Sequence, residues 1–395
     1  HWRNVTPPEL TPWSKVTQID ASHFDSASAY ISVSRFRLDD LTPLIYRTRD
    51  GGRTWTRITA GLPDHAPVNV VREDPVRRGL LYAGTEREVF VSFDDGDHWH
   101  PLTRNLPRTS MRDLIVHGDD LVVATHGRGF WVLDNVTPLR QAADVANGAT
   151  RLFKPALATR VRRSTNTDTP LPPETPMGQN PPDGAVIDYF LAGTPAGPIG
   201  LDILNASGAV VRSFSSTDVP PLLDETTVNV PLYWLREPTV LSAAAGMHRF
   251  VWDLRMPAPL VLESDYPISA IPHDTPREPL GPLVAPGTYR VRLTANGQVF
   301  TQPLIVRMDP RVKTPPAALT QQAALARRLA SGLQATAVAR RTAAPQAAAA
   351  IERLHADFAT VYTVITGSDA APTPQAIRQV AVLEGRLRTL IPQEK

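Results

Sequence analysis

The chain has 395 residues, long enough for two or three domains, and 42% of them are hydrophobic, which supports real cores. It contains no cysteine, which excludes disulfides, thiolate metal sites and cysteine nucleophiles. The formal net charge is +2 and the basic residues are spread along the chain, so nothing in it points to nucleic acid.

No apolar run approaches the ~20 residues of a membrane-spanning helix. The 39 prolines suit strands, turns and linkers better than long helices. The first residue is His1 rather than Met and no signal peptide is present, which fits a processed or truncated product.

The chain opens on His1-Trp2-Arg-Asn-Val5-Thr6. The same tail follows two later tryptophans, as Trp55-Thr-Arg-Ile58-Thr59 and Trp99-His-Pro-Leu102-Thr103. Before each of those two stands the pattern Ser/Thr-x-Asp-x-Gly-x-x-Trp. One copy is Thr48, Asp50, Gly52 and Trp55; the next is Ser92, Asp94, Gly96 and Trp99, 44 residues on. The opening residues therefore read as the end of a third copy whose Asp and Gly are missing. Asp side chains cap local backbone N–H groups and Gly supplies a positive φ, so Asp-x-Gly fits a tight hairpin turn. The Trp is expected to pack over the hairpin it follows. These eight residues are accordingly expected to be structural.

Strand candidates repeat with the motif: Ala29–Ser34 and Leu44–Thr48, then Leu80–Ala83 and Val89–Ser92, then Asp120–Ala124 and Phe130–Leu133. The loop Ala60-Gly-Leu-Pro63 matches Arg104-Asn-Leu-Pro107. The third unit has no turn motif after Leu133.

This repeat resembles the Asp-box, or bacterial-neuraminidase repeat, of sialidases, sortilin-type receptors and secreted bacterial β-propellers. The chain as a whole resembles the C-terminal part of large secreted bacterial proteins labelled sortilin-like or glycosyl-hydrolase-like. The stretches that carry this are Tyr46–Trp55, Arg72–Pro75 with Ala83–Glu86, and Ala124-Thr-His126-Gly-Arg128-Gly-Phe-Trp131. The resemblance implies a mainly β protein that begins as a partial propeller of about three blades, whereas closed propellers typically have about four to eight. It also implies a motif on a peripheral hairpin away from any ligand face, and a bacterial, extracytoplasmic location, periplasmic or secreted. The missing blades are expected from absent sequence or from another chain.

Residues 1–137 are thus expected to be propeller blades and 138–184 a linker. From 185 to 312 several short period-2 strands argue for a β-sandwich. Among them are Val186–Leu191, the alternation at Ile199, Leu201 and Ile203, that at Phe250, Trp252 and Leu254, and that at Tyr289, Val291 and Leu293 before the hairpin signal Asn296-Gly297. Gly246–Arg255, Pro286–Val291 and Met308–Arg311 resemble the immunoglobulin-like domain of flagellar hook-capping proteins. Residues 256–285 read as a proline-rich excursion. Residues 313–395 are expected to form three helices, with Thr314 capping the first, a seam at Ile351, Leu354, Phe358, Val361 and Ile365, and a third helix starting at Thr373-Pro374.

Candidates for chemistry in the first part are Asp39, Asp40, Glu73, Asp74, Glu86, Asp113, Arg35, Arg37 and Arg128. No spacing among them singles out the carboxylate pair of a glycosidase. His126 and Arg128, between glycines, could meet a ligand or close a blade through an ion pair. His98 and His100 flank Trp99 on opposite strand faces and cannot share a metal. Asp94-Asp-Gly-Asp97 lacks the later Glu of a calcium loop. No metal or cofactor and no catalytic residue is assigned. The expected role is a non-catalytic interaction or scaffold module, an accessory subunit that binds a protein partner or carbohydrate. The alternative is the C-terminal part of a sialidase-like hydrolase whose catalytic residues lie upstream.

Overall fold

The computed structural model describes residues 2–142, 148–163, 172, 174–176, 178–220, 223, 225–226, 228–267 and 273–391. His1, the last four residues, and parts of the 138–184 stretch and of the 256–285 excursion lie outside the described residues. The protein is mainly β and falls into two compact units, His1–Gly148 and Ala149–Lys395.

The first unit holds three antiparallel sheets, each running in chain order. The first contains β1 (Lys15–Ala21), β2 (Ala29–Arg35), β3 (Asp40–Thr48) and β4 (Thr56–Arg57). The second contains β5 (Val68–Glu73), β6 (Leu81–Thr85), β7 (Val89–Ser92) and β8 (His100–Pro101). Among the described residues the third contains β9 (Met111–His117), β10 (Asp120–Thr125) and β11 (Phe130–Leu133). Alternate residues of each strand face opposite ways, so each sheet feeds two apolar layers. Tyr30 and Ile45 of the first sheet meet Val68, Leu81, Ala83 and Phe90 of the second. Tyr82, Val89 and Val91 of the second meet Met111, Leu114, Leu121 and Val123 of the third. After β11 the chain enters α1 (Thr137–Gln141). There Arg140 donates to the buried carboxylate of Asp74 at 2.9 Å and to Gly118 O at 2.9 Å.

The second unit is built on two sheets around one core. One contains β12 (Arg151–Leu152), β14 (Ala185–Leu191) and β17 (Gly246–Trp252). The other is ordered β13 (Ala158–Arg160), β19 (Gln298–Met308), β18 (Gly287–Ala295), β15 (Gly200–Leu204) and β16 (Val210–Ser215). Ile187, Tyr189, Phe250 and Trp252 from one sheet pack on Leu201, Ile203, Val291 and Leu293 from the other. Asn296 and Gly297 both have positive φ, 49° and 72°, as the tight β18–β19 hairpin requires. The linker expectation is corrected at residues 151–160, which supply β12 and β13. Leu152, Phe153 and Ala158 are buried there together with Arg160, whose charge hides β13 from a hydrophobic pattern.

Three helices follow: α2 (Pro316–Thr342), α3 (Pro345–Thr366) and α4 (Pro374–Leu390). Leu325, Leu329 and Leu333 of α2 pack on Leu354, Phe358 and Tyr362 of α3 and on Val380 and Leu383 of α4. Tyr362 takes a buried place on the seam, while Val361 is only half-buried. Thr373 caps α4, accepting from Ala376 N at 3.2 Å. Thr314 does not cap α2: its hydroxyl donates to Asp369 O at 2.6 Å, because Pro315 stands at the cap position.

Candidate functional site

The two motif turns share one hydrogen-bond network. Thr48 Oγ1 donates to Asp50 Oδ1 at 2.9 Å, and Ser92 Oγ donates to Asp94 Oδ1 at 2.8 Å. The N–H of Gly52 donates to Thr48 Oγ1 and that of Gly96 to Ser92 Oγ, both at 2.9 Å. Asp50 Oδ1 accepts from Thr54 N at 2.9 Å, and Asp94 Oδ1 from His98 N at 2.8 Å. The second oxygen of each carboxylate takes the side chain of that same residue, Thr54 Oγ1 or His98 Nδ1, at 2.7 Å in both copies. Hydrogen bonds from the Thr54 N–H and hydroxyl stabilise the Asp50 carboxylate and bring its pKa down to about 2. Burial opposes ionisation of Asp94, but the bonds from His98 and Ser92 outweigh it and its carboxyl also titrates below the usual range.

Each turn then grips the tail of the copy before it. Trp55 Nε1 donates to Val5 O at 2.7 Å and Trp99 Nε1 to Ile58 O at 2.9 Å. Val5 and Ile58 are the third residues after Trp2 and Trp55. The same tail residues close on the motif glycines. A Cβ on Gly52 would fall 2.7 Å from Val5 Cβ, and one on Gly96 would collide with Ile58 Cδ1. The ring thus reaches back to the preceding repeat, rather than only over the hairpin it follows. Trp99 has a full sheet beneath it and is buried. Trp55 is half-buried, packed with Leu10 against Ile31, Val33, Leu44 and Tyr46.

The most catalytic-looking group lies between the first and second sheets. Tyr30 OH donates to Asp95 Oδ1 and stands 3.4 Å from Glu73 Oε1, with Arg47 and Arg49 paired to Asp95. A Tyr–Glu pair beside arginines is what a sialidase-type nucleophile needs. Here it is sealed. Tyr30 and Glu73 are both buried, and Glu73 already accepts from His23 N at 3.1 Å and Gly79 N at 3.2 Å. Burial, reinforced by Asp95, raises the phenol pKa above its ordinary value, the opposite of what a nucleophile requires. The arrangement holds two sheets together.

The other candidates are held locally. Asp74 accepts from Val76 N, Arg77 N and Arg140; Arg35 pairs with Asp40 at 3.3 Å; Arg72 pairs with Asp20 at 3.1 Å and Asp113 at 3.4 Å; Glu86 accepts from Asn69 at 3.0 Å and Arg112 at 3.2 Å. Asp39 sits in a left-handed turn, and Arg37 lies over the Phe36 ring. Among the described residues no group of three or more His, Asp or Glu is placed to hold a metal. His126 and Arg128 lie exposed on the β10–β11 turn, engaged through their main chain: His126 N donates to Ser110 O at 2.9 Å, and Trp131 Nε1 donates to Arg128 O at 3.0 Å. No carboxylate pairs with Arg128 among the described residues.

The feature missed by motif reading is the outward face of the third sheet. β7 and β11 occupy the same place in their sheets, paired to β6 and β10. On β7, Val89 and Val91 are 1% and 3% exposed, buried by the third sheet. Their counterparts on β11, Phe130 and Val132, are 80% and 52% exposed, beside Ile115 at 53%. Among the described residues the edge of β11 is also bare, with no strand that corresponds to β4 or β8. Along that edge runs a slot lined by Leu102, Leu106, Leu121, Val123, Trp131 and Leu133. Trp99 is surrounded by the matching residues one repeat earlier: Ile58, Leu62, Leu81, Ala83 and Phe90. The repeat itself was the signal: aligned copies show which partner strand the third sheet lacks.

The sequence matches no protein-family profile, and no curated protein is similar to it. Among solved structures it is similar to a GH74 xyloglucanase from Xanthomonas campestris (TM-score 0.26, 20% identity, 33% of this chain and 22% of that one). It is also similar to YCF48 bound to a D1 peptide (TM-score 0.24, 17% identity, 31% and 37%). A third is the GH74 enzyme of Niastella koreensis (TM-score 0.26, 12% identity, 51% and 30%). The chain spans well under half the length of each of these proteins. Likeness at this level decides neither fold nor chemistry.

Proposed function

We propose that the protein is a non-catalytic interaction module whose first unit is an arc of three Asp-box propeller blades and binds protein through its third sheet. The observation that carries this reading is the contrast between Val89 and Val91, buried on β7, and Phe130 and Val132, exposed at the same places on β11. A contiguous apolar face on an unpaired edge marks an interface. The eight motif residues have a structural role in it, locking each turn onto the preceding tail. The non-catalytic reading of the first unit is argued from its buried carboxylates: Asp20, Glu73 and Asp74 are held by backbone N–H groups or arginines, so none of the three faces a cleft as a free acid or nucleophile. The extracytoplasmic setting implied by the repeat resemblance belongs to the same proposal.

The test is a photoreactive side chain placed at position 130 in the protein expressed in its own cell. A covalent protein adduct is expected, together with no turnover of aryl glycosides or sialosides. Turnover that disappears in a folded Glu73→Gln variant, or irradiation that gives no adduct, would sink the reading.

A further inference from the structure

We propose that a groove along α2 in the second unit binds an acidic amphipathic helix of a partner protein, which lays its apolar face on Ala324, Ser331, Ala335 and Val338 and sets a carboxylate on Arg327. This goes beyond the reading of the third sheet, because the groove lies wholly within the second unit and needs nothing from β11.

Helix α2 has two weakly charged faces. Leu325, Leu329 and Leu333 pack on α3 and α4. At about 3.6 residues per turn, Thr320, Ala324, Ser331, Ala335 and Val338 project to the other side. Between residues 320 and 338 that side carries one charge, Arg327, whereas the outer face of a surface helix is ordinarily charged and polar. It is the floor of a groove of about 1240 Å³, lined on the sandwich side by Val210, Val211, Met256 and Tyr289. Val210 and Val338 are exposed.

The dimensions suit a helix. From Thr320 to Val338 the floor runs about 27 Å at 1.5 Å per residue, and the volume exceeds the roughly 300–1,000 Å³ of a small-molecule site. Alanine and serine in the floor let a second helix axis approach to about 8–10 Å. The helices are tied to the rest of the unit by the Arg160–Asp369 pair and by the Tyr362 hydroxyl, which donates to Leu280 O at 2.6 Å, so the groove is part of the fold. An amphipathic helix laid in an apolar groove is a recurrent recognition mode.

Charge selects the partner. Arg328, Arg340 and Arg386 pair with Glu384, Glu352 and Asp357. The guanidinium of Arg327 has no such partner among the described residues, nor has that of Arg341, about four turns further along α2. Helix α2 contains no acidic residue, so the α2 of a second copy would bring only like charge to the groove. A partner helix with carboxylates about four turns apart supplies both counter-charges.

The probe is a synthetic helical peptide of about six turns. It carries Ala and Leu along one face and, beside that face, Glu at two positions about four turns apart; a twin has Lys at both. Fluorescence anisotropy should show the Glu peptide binding about tenfold or more tightly than the Lys twin, and Arg327→Glu should reverse the preference. A photoreactive side chain at position 338 should label the Glu peptide, while one at the exposed Val364 of α3 should not. Ser331→Trp fills the floor and should abolish binding. Ser331 is exposed and its hydroxyl bonds Arg327 O of its own helix at 3.1 Å, so this variant keeps the fold.

A Glu peptide that does not bind, or binds no better than its twin, overturns the proposal, as does a preference indifferent to Arg327→Glu. Labelling at 364 as strong as at 338 overturns the groove. A dimer in light scattering that Ser331→Trp dissociates assigns the groove to a second copy. Oleate that displaces the peptide and binds more tightly assigns it to a small amphiphile, and either result overturns the partner helix. The position-130 adduct tests the third sheet separately and is unaffected by any of these results.

Discussion

The indole of Trp99 donates to the carbonyl of Ile58, and Ile58 is itself the third residue after Trp55. Each repeat is therefore locked by the next one. Trp99→Ala should destabilise the first unit by ~3–5 kcal/mol, the cost of deleting a large buried aromatic. Trp99→Phe keeps most of the packing and loses the N–H donor, a smaller loss of about 0.5–1.5 kcal/mol beyond packing. Trp55→Ala should cost less than Trp99→Ala, because Trp55 is only half-buried. Urea unfolding of the three variants gives this ranking; equal losses at both tryptophans would contradict it.

The Asp50 carboxyl has a folded-state pKa of about 2, below its unfolded value. Ionised Asp50 thus contributes stability that is fully present above the unfolded value near 4 and is lost as pH falls through about 2. Acid titration of stability should show this decline, and Asp50→Asn should flatten it. An Asp50→Asn variant with an unchanged acid profile would show that the turn network adds nothing.

In the second unit, Arg160 is buried and donates to Val284 O at 2.7 Å and to Asp369. Burial lowers its pKa and Asp369 works against that. Removing one partner strands the other charge, so Asp369→Asn should cost about 3–5 kcal/mol. Asp369 also pairs with the more exposed Arg162 at 3.1 Å. Arg160→Met with Asp369→Leu removes the buried pair and leaves Arg162 to solvent, so it should recover part of that loss. A double variant no more stable than Asp369→Asn alone would contradict the account.

His355 joins the 256–285 excursion to the helices. Its Nδ1 bonds Thr336 Oγ1 at 2.7 Å, and its Nε2 accepts from Leu262 N at 3.3 Å. Burial lowers its pKa below 6.5. The neutral ring therefore contributes stability that is present above pH ~6.5 and is lost as pH falls through the depressed folded value. His355→Gln should remove that dependence from the unfolding of the second unit. Persistence of the same acid limb in the variant would mean that another group carries it.

Much of this was legible from local rules. β7 and β11 match their apolar runs residue for residue, and the turn networks follow from Asp and Gly at fixed offsets. The helices declared themselves through Leu325, Leu329 and Leu333. The strands β1, β5 and β9 were not visible, because Asp20, Arg72, Glu73 and Asp113 break their alternation. Those charges make sense only once neighbouring sheets pair them. β13 was hidden for the same reason by Arg160. The exposed face at Phe130 and Val132 looked like any strand, since its meaning depends on a neighbour the sequence does not place there.

The most direct measurement is hydrogen exchange at the backbone amides of Phe130–Leu133 in the intact protein, alone and with the protein that the position-130 probe captures. If β11 is the binding edge, these amides should pass from fast exchange to protection when that partner is present. Exchange that stays fast with the partner bound, while the rest of the first unit is protected, would contradict the account.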